Sequence, residues 1–346
     1  MDINSFITEY NLPVTIVPSE RKYWLVRTQS GEFYEEFFHE NFIAINWDEF
    51  SDIEKFKNSE KDNIILEIER YYKSYPPDKQ PQPGRIYGQI YRFLFELNIG
   101  DIVMIPSLNS AYISFGIITS DTYIEKVSEN SQDLGLCPYK KRRKVKWLRT
   151  VQRNKLDPYL YKMMNTHHTI SNADDYAHFI DRTLHSFYVK DNKAFFVVHV
   201  NQEKDIPAID IINYVSSVLD LVPLVQNPEE PDKEFTKDQI ELKMNVQSPG
   251  LIEFSSQSVL LMIIVGGLLI SLVGGKIKFT RKVNGKEEQQ SETGLEVESE
   301  GLFEKLIKFT KQHNEHKLEK IREEHALRKE KIKADLPQDV VKKLDQ

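Results

Sequence analysis

The chain has 346 residues, a length that fits two or three domains, and 29% of them are charged. Its formal net charge of -7 at pH 7 argues against a uniformly basic protein that coats nucleic acid. Cys137 is the only cysteine, which excludes an intramolecular disulfide and a cysteine-based zinc site and favours a reducing, intracellular setting. The first residues carry acids and no basic segment ahead of a short apolar stretch, so we expect no signal peptide.

From residue 22 to residue 187, predicted strands alternate with predicted helices. Aromatic and β-branched stretches predict strands at YWLVRT, FIAINW, GDIVMIPS, AYISFGIITSDTYI and RRKVKWLRT. Apolar spacing predicts helices at FYEEFFHEN, NIILEIERYYKSY and RIYGQIYRFLFELNIG, and a further helical segment closes the domain. Together they predict a small twisted sheet or partial barrel with helices packed outside it.

The rest of the chain divides into four segments. Residues 1–21 form an N-terminal extension, and residues 188–256 predict a small α/β domain with a hairpin, an amphipathic helix and a strand. Residues 257–275 hold an apolar run, and residues 276–346 hold a basic flank, a polar loop and a charged helical tail. The predicted fold class is therefore α+β with one hydrophobic, transmembrane-type helix.

Residues 22–185 resemble the N-terminal domain of Mrr-type restriction endonucleases. The matching stretches are WLVRTQSGEFYEEFFHENFIAINW, GQIYRFLFELNIGDIVMIPS, SFGIITSDTYI and RRKVKWL, whose order and spacing agree with that family. The resemblance implies a PUA/EVE-like fold, a class that senses nucleic acid and often modified or flipped bases. Residue 46 is Asn where the family usually has Gly, and the glycine–aspartate motif of the nuclease half does not occur.

One basic stripe interrupts this acidic chain. Residues 140–155 hold nine lysines and arginines and no acid. Such cations neutralise the phosphates of nucleic acid or of an anionic lipid surface, although a lysine-rich strand also protects a sheet edge from aggregation. The predicted contact residues are Lys140, Lys141, Arg142, Arg143, Lys144, Lys146 and Arg149.

Three tryptophans lie on or beside neighbouring predicted strands, and their ring faces suit an unpaired base. The candidates for this base-stacking pocket are Trp24, Trp47 and Trp147. The alternative is that they belong to the core, as tryptophans of small sheets usually do.

The apolar run SVLLMIIVGGLLISLVGG, residues 258–275, has no charged side chain. A helix of roughly seventeen residues is about 26 Å long, slightly shorter than the ~30 Å core of a bilayer. It is apolar on every side, and Gly267, Ser271 and Gly275 form a ridge of small residues typical of helix–helix packing in lipid. We expect a transmembrane or insertable helix; the alternative is the buried core of a domain.

The two flanks of the run conflict with a simple topology. Basic residues follow the run and Glu253 precedes it, so the positive-inside tendency places the tail in the cytoplasm and the larger domains outside. A nucleic-acid sensor has no use outside the cell. Either the tendency is broken here, or the segment inserts only after a trigger, and in both cases we expect cytoplasmic domains associated with the inner membrane.

Two further interpretations concern catalysis and metal binding. Metal-dependent nucleases use two acids and a lysine, and the chain offers Asp220, Glu241 and Lys243. A Glu-x-Lys pair on an alternating strand is more often a solvated face. One helix face also carries His178, Asp181 and His185, which leaves the fourth ligand of a zinc site unspecified. We expect no metal, no cofactor and no catalytic site.

These observations favour an antiviral defence effector, similar in architecture to membrane effectors that accompany short prokaryotic Argonautes. Residues 22–187 would sense nucleic acid or a nucleic-acid-guided partner such as a short Argonaute. Residues 257–275 would self-associate in inner-membrane lipids and disrupt them, causing abortive infection. The alternative is a membrane-tethered or soluble nucleic-acid-binding subunit of a restriction system, and the second alternative is the nuclease.

Overall fold

A computed structural model describes residues 3–128, 135–244, 250–274, 306, 309–310 and 315–335. The α-helices within these ranges are α1 (Ile3–Glu9), α2 (Tyr34–His39), α3 (Ile53–Asn58), α4 (Lys61–Tyr72), α5 (Pro83–Tyr91), α6 (Leu160–Met164), α7 (Ala177–Leu184), α8 (Ala208–Leu219), α9 (Val259–Gly274) and α10 (Glu315–Ile332). The strands are β1 (Thr15–Ile16), β2 (Tyr23–Val26), β3 (Phe42–Ile45), β4 (Ile102–Pro106), β5 (Tyr112–Ile118), β6 (Tyr123–Ile124), β7 (Lys141–Gln152), β8 (Ile170–Asn172), β9 (Phe187–Lys190), β10 (Lys193–Val200), β11 (Glu241–Met244), β12 (Gly250–Ser256) and β13 (Ala334–Asp335). The fold is mixed α/β.

Two compact units divide the chain. Glu20–Leu184 form one of them, here called the inserted unit. Met1–Ser19 and His185–Gln346 form the other, here called the split unit, because the inserted unit interrupts its sequence. The end of the inserted unit lies close to the boundary predicted at residue 187. The predicted extension up to Ser19, the small α/β domain and the apolar helix belong to the split unit.

The sheet of the inserted unit has the order β3-β7-β5-β4-β2-β8, with β6 beside β7. β2 and β4 are parallel, and the other neighbours are antiparallel. Alternate residues of β2 face opposite sides: Trp24 joins a cluster with residues of α4 and α5, whereas Leu25 joins a cluster with residues of α6 and α7. The central strands are therefore buried on both faces.

The long strand β7 serves two neighbours, because its first residues pair with β3 and its later residues pair with β5. A bulge shifts the register opposite Phe115 and Gly116. A Cβ atom at Gly116 would lie 2.3 Å from Val145 Cγ1 and 2.7 Å from the Trp147 ring. Only glycine fits so close to the side chains of β7, and the bulge lies beside it.

The split unit has the sheet order β1-β9-β10-β12-β11, and β13 pairs with β10. Helix α9 packs against β10, β12 and α10. Its residues share one hydrophobic cluster with Phe6 of α1, Phe187 and Phe196 of the sheet, and Leu318 of α10. Sequence-distant segments thus surround the apolar helix.

The prediction of a transmembrane-type helix at residues 257–275 is wrong. Helix α9 has 16 residues, and no helix in the described ranges combines the length and the apolarity that crossing a bilayer requires. Its side chains from Leu261 to Val265 are fully buried within the split unit. A helix that is apolar on all sides needs apolar surroundings on all sides, and the split unit supplies them.

The small residues of α9 allow close packing inside the split unit. A Cβ atom at Gly266 would lie 2.6 Å from the Phe187 ring, and one at Gly267 would lie 2.6 Å from Leu306 Cδ1. The Ser271 hydroxyl donates a hydrogen bond to the carbonyl of Leu268, 2.8 Å away. The third member of the predicted ridge, Gly275, lies outside the described residues.

A buried histidine joins α10 to α8. His325 Nδ1 lies 2.8 Å from the Ser217 hydroxyl, which is itself 2.6 Å from the carbonyl of Tyr214. Burial lowers the pKa of His325 to about 4, and the neighbouring charges of Lys329 and Arg328 add to the shift. The folded state therefore holds this imidazole neutral.

We expect the split unit to lose stability as the pH falls from about 6.5, the usual pKa of histidine, to about 4. Because the folded state binds this proton less readily than the unfolded state, the contribution of His325 is complete above pH ~6.5 and is lost as the pH falls through ~4. The loss amounts to about 3 kcal/mol. Chemical denaturation followed by circular dichroism across this range measures it. A His325→Gln variant with the same pH profile as the wild type would contradict the assignment.

Candidate nucleic-acid interface

Arg143, one of the predicted phosphate-binding cations, is a buried structural residue. Its side chain is 2% exposed and donates hydrogen bonds to the carbonyls of Phe93, Leu94 and Ser120, at 2.9, 3.0 and 3.1 Å. Burial lowers the pKa of Arg143 to about 10, and the carboxylates of Asp121 and Asp101 oppose this shift. All three acceptors are main-chain oxygens, so this guanidinium holds the fold together and does not face a ligand.

Lys141 is likewise enclosed. Its ammonium group donates to the carbonyl of Trp47 at 2.8 Å and to the Ser51 hydroxyl at 3.2 Å, and it lies 3.4 Å from Asp48 Oδ1. Burial lowers its pKa, and Asp48 opposes that shift. The lysine therefore fixes the turn that follows β3, where Trp47 adopts a left-handed conformation with a φ of 65°.

The remaining cations of the predicted set differ in exposure. Arg142 stacks over the Phe42 ring at 4.1 Å and donates to the carbonyls of Cys137 and Tyr139. Arg149 donates to the carbonyl of Thr183. Only three side chains of the set are exposed, and these are Lys140, Lys144 and Lys146. The predicted stripe is thus reduced to three solvated charges, two on β7 and one directly before it.

The tryptophans lie in or against the core of the inserted unit. Trp24 is 1% exposed, and its indole N–H donates to Asp101 Oδ2 at 2.9 Å. The Trp147 indole donates to the carbonyl of Phe37 at 3.2 Å, and Trp47 packs against the same hydrophobic cluster. Because Trp24 has no open ring face, the three rings do not together form a pocket for a base.

A different surface emerges where several strands of the inserted unit end together. β2 and β4 are parallel, so their carboxyl ends lie at one edge of the sheet, and β5 and β8 begin there while β7 ends there. Four loops meet at this edge, which we call the loop edge, and they are residues 27–31, 107–111, 152–156 and 165–169.

The loop edge carries few acids: exposed Glu32 directly follows the first loop, and Asp157, which is buried and paired with Arg182, directly follows the third. Its four loops contain Arg27, Arg153 and Lys155 together with His167 and His168, and all four loops lack aspartate and glutamate. Arg153, Lys155 and both histidines are exposed. In a chain with a net charge of -7, this edge is a local site of positive potential.

Two of these loops touch through their backbones. A Cβ atom at Gly31 would lie 2.3 Å from Leu108 Cα, and Gly31 has a φ of +99°. The Thr28 hydroxyl donates to the carbonyl of Pro106 at 2.6 Å. Four other residues of the two loops have positive φ, namely Gln29, Ser30, Asn109 and Ser110. Such conformations cost energy and are frequent at binding sites.

An open depression of about 470 Å³ lies at the end of β7 and is lined by Ala111, Tyr112, Gln152, Arg153, Asn154 and Tyr161. Tyr112 is 44% exposed. The Arg153 guanidinium lies 5.3 Å from the centre of the Tyr161 ring, whose hydroxyl donates to the Arg153 carbonyl at 2.7 Å. The depression therefore combines aromatic faces, amide groups and a cation.

Arg27 links two loops of the edge. Its guanidinium donates to the carbonyls of Met164 and Thr166, and its own N–H donates to the carbonyl of Thr169 at 2.9 Å. Burial lowers the pKa of Arg27. It orders the loop that carries the two exposed histidines.

The residues of the nuclease interpretation are engaged elsewhere. Asp220 pairs with Lys237 and Glu241 pairs with Lys193, each at 2.5 Å. Asp181 of the histidine-containing helix accepts a hydrogen bond from the Tyr23 hydroxyl at 2.5 Å. Within the described parts of the chain, no three side chains of His, Cys, Asp or Glu are grouped to hold a metal ion.

Sequence reasoning missed the loop edge as a site. Arg153 and Lys155 belong to the predicted basic run, but Tyr112 lies about forty residues before them, and neither Tyr112 nor the nearer Tyr161 belongs to a motif. The signal available was the small number of acids in and beside four separate loops. That signal acquires meaning only when the strand order is known.

The match to a known protein family lies within the inserted unit. Residues 22–173 match the model of a family described as a domain of unknown function, DUF8426, and this stretch contains all four loops of the edge. No curated protein matches the chain. No solved structure matches it either.

Proposed function

We propose that the inserted unit binds single-stranded or unpaired nucleic acid along its loop edge. The observation that supports this function best is the set of four converging loops whose exposed charges are mostly cationic, on an otherwise acidic chain. A polyanion is attracted to such an edge because each phosphate that a lysine or arginine neutralises releases a counterion. Arg153 and Lys155 are the exposed side chains best placed for this contact.

The aromatic depression favours unpaired bases over a duplex. Tyr112 presents an exposed ring, and Tyr161 with the Arg153 guanidinium over it presents a second planar surface. Bases stack on such faces only when they are not paired within a duplex, and stacking contributes about 1–3 kcal/mol per base. Exposed amides of Gln152 and Asn154 offer hydrogen bonds to base edges.

We propose that this binding is the recognition step of the antiviral defence role. Membrane disruption is not part of the proposal, because it required residues 257–275 to span a bilayer. The carboxylates of Asp220 and Glu241, which a nuclease would use, form ion pairs with lysines. This supports a binding protein over a nuclease. The alternative of a nucleic-acid-binding subunit is thus the one retained.

We expect the double variant Arg153→Ala, Lys155→Ala to weaken binding of a labelled single-stranded oligonucleotide about tenfold near physiological salt. Loss of two phosphate contacts should also reduce the salt slope, d log K/d log[salt], by about 1.4. Tyr112→Ala should weaken binding while leaving that slope unchanged, because stacking releases no counterions. Fluorescence anisotropy over a salt series measures both quantities.

The matched control is Lys144→Ala, Lys146→Ala, which removes the same charge from the exposed face of β7. It should change affinity less than twofold if the loop edge is the interface. Equal losses in both double variants would place the contact on β7 and contradict the proposal. Failure of the wild type to bind any single strand at low salt would overturn nucleic-acid binding altogether.

A further inference from the structure

Strand β11 forms one end of the sheet in the split unit. It pairs with β12, and it has no second neighbour within the part of the chain that the structure describes. All four of its residues are exposed. Alternate backbone N–H and C=O groups of an antiparallel edge strand point outward, so β11 offers a row of groups for another strand.

The two faces of β11 differ in character. Leu242 lies opposite Phe254 and Met244 lies opposite Ile252, so both side chains continue the row that forms the hydrophobic core. They are nevertheless 38% and 45% exposed, because the sheet ends there. The other face carries charges, one negative at Glu241 and one positive at Lys243.

The segment Ile240–Glu241–Leu242–Lys243–Met244 is complementary to itself in an antiparallel arrangement. If Leu242 lies opposite its own counterpart, each Glu241 lies opposite a Lys243 and each Ile240 lies opposite a Met244. Opposite charges and apolar pairs across strands each stabilise a sheet. The backbone of Ile240 is already extended, with φ of -102° and ψ of 119°.

We propose that β11 pairs antiparallel with β11 of a second copy of this chain, with the two Leu242 residues opposite each other. The pairing joins two sheets into one and covers the apolar row that each sheet leaves open at its end. Neighbouring registers are poorer. Centring the pair on Lys243 sets two lysines against each other, and centring it between Leu242 and Lys243 sets each apolar side chain against a charge.

Glu241 also pairs within its own sheet with Lys193 of β10, whose ammonium group lies 2.5 Å from one carboxylate oxygen, on the side away from the free edge of β11. Roughly half of the Glu241 side chain still faces solvent. The strand pair is short, so we expect a reversible dimer in the micromolar range and not a permanent one. Its formation is independent of the loop edge and of nucleic acid.

Charge exchange tests the register directly. Lys243→Glu sets Glu241 against a second glutamate, and Glu241→Lys sets Lys243 against a second lysine, so each variant should dimerise at least about tenfold more weakly than the wild type. Mixing the two variants makes both charge pairs opposite again, and a one-to-one heterodimer should form. Sedimentation equilibrium of the full chain, with one variant labelled, measures all of these.

Lys204→Glu is the control, because it makes the same charge change on an exposed loop of the split unit. It should dimerise like the wild type. A wild-type protein that stays monomeric at the highest attainable concentration would overturn the proposal. A dimer that persists in Lys243→Glu, or a mixture without heterodimer, would place self-association elsewhere and overturn it as well.

Discussion

Replacing Gly266 with leucine is expected to lower the free energy of unfolding of the split unit by about 3 kcal/mol or more. A single Cβ atom at this position already lies 2.6 Å from the Phe187 ring, which is itself buried. The neighbourhood of α9 is filled on both sides, so neither the helix nor the ring has space to move away. In a helix surrounded by lipid, the same change would only add apolar surface.

The measurement is chemical denaturation followed by circular dichroism, together with hydrogen exchange of residues 259–274. Gly266→Ala should cost about 1–3 kcal/mol, because one methyl group suffices to clash. Gly88→Ala in α5 is the matched control, since a Cβ there meets no atom within 4 Å. It should stabilise its helix by about 0.5–1 kcal/mol. A Gly266 variant as stable as the wild type would contradict the enclosed position of α9.

Replacing Arg143 with methionine is expected to destabilise the inserted unit by about 3 kcal/mol or more. The substitution removes three charge-assisted hydrogen bonds and leaves the buried carbonyls of Phe93, Leu94 and Ser120 without that donor. Phe93 and Leu94 belong to the last helical turn before β4, whose carbonyls lack helical partners. The arginine acts as a cap for that turn.

All three tryptophans belong to the inserted unit, so denaturation followed by tryptophan fluorescence reports on this unit. Lys144→Met is the matched control on the same strand, because its side chain is exposed. It should alter stability by less than about 0.5 kcal/mol. Similar losses in the two variants would show that Arg143 has no special structural role. If an Arg143 variant binds nucleic acid more weakly, we therefore attribute the loss to unfolding and not to a lost phosphate contact.

Much of the local structure follows from the sequence. The aromatic stretch at Tyr23 and the alternating stretch at Lys141 are strands, and the apolar spacing around Ile86 is a helix. The hairpin between β9 and β10 turns at Asp191 and Asn192, both with positive φ, as their composition predicts. Each of these elements is determined mainly by residues that are close together in the chain. Their spacing can be read directly from the sequence.

The burial of individual cations on β7 does not follow from the sequence. In the sequence, Lys141 and Arg143 belong to the same run of cations as Lys144 and Lys146. The structure nevertheless buries the first two and exposes the other two. Alternation predicts that one face of a strand is buried, but cations are assigned to solvent by default. Burial is stable here because Trp47, Phe93 and other distant residues provide carbonyl acceptors at the right positions.

The sequence by itself determined that residues 259–274 are almost entirely apolar and favoured a helix that is apolar on every side, and it determined that the chain is acidic with one basic run. It did not determine what surrounds the helix, because lipid and a protein core are equally apolar. Only the tertiary structure decided this, by placing Phe6, Phe187, Leu306 and Leu318 around it. The parallel pairing of β2 and β4 likewise decided which loops meet, since pairing depends on contacts between distant segments that no local pattern encodes.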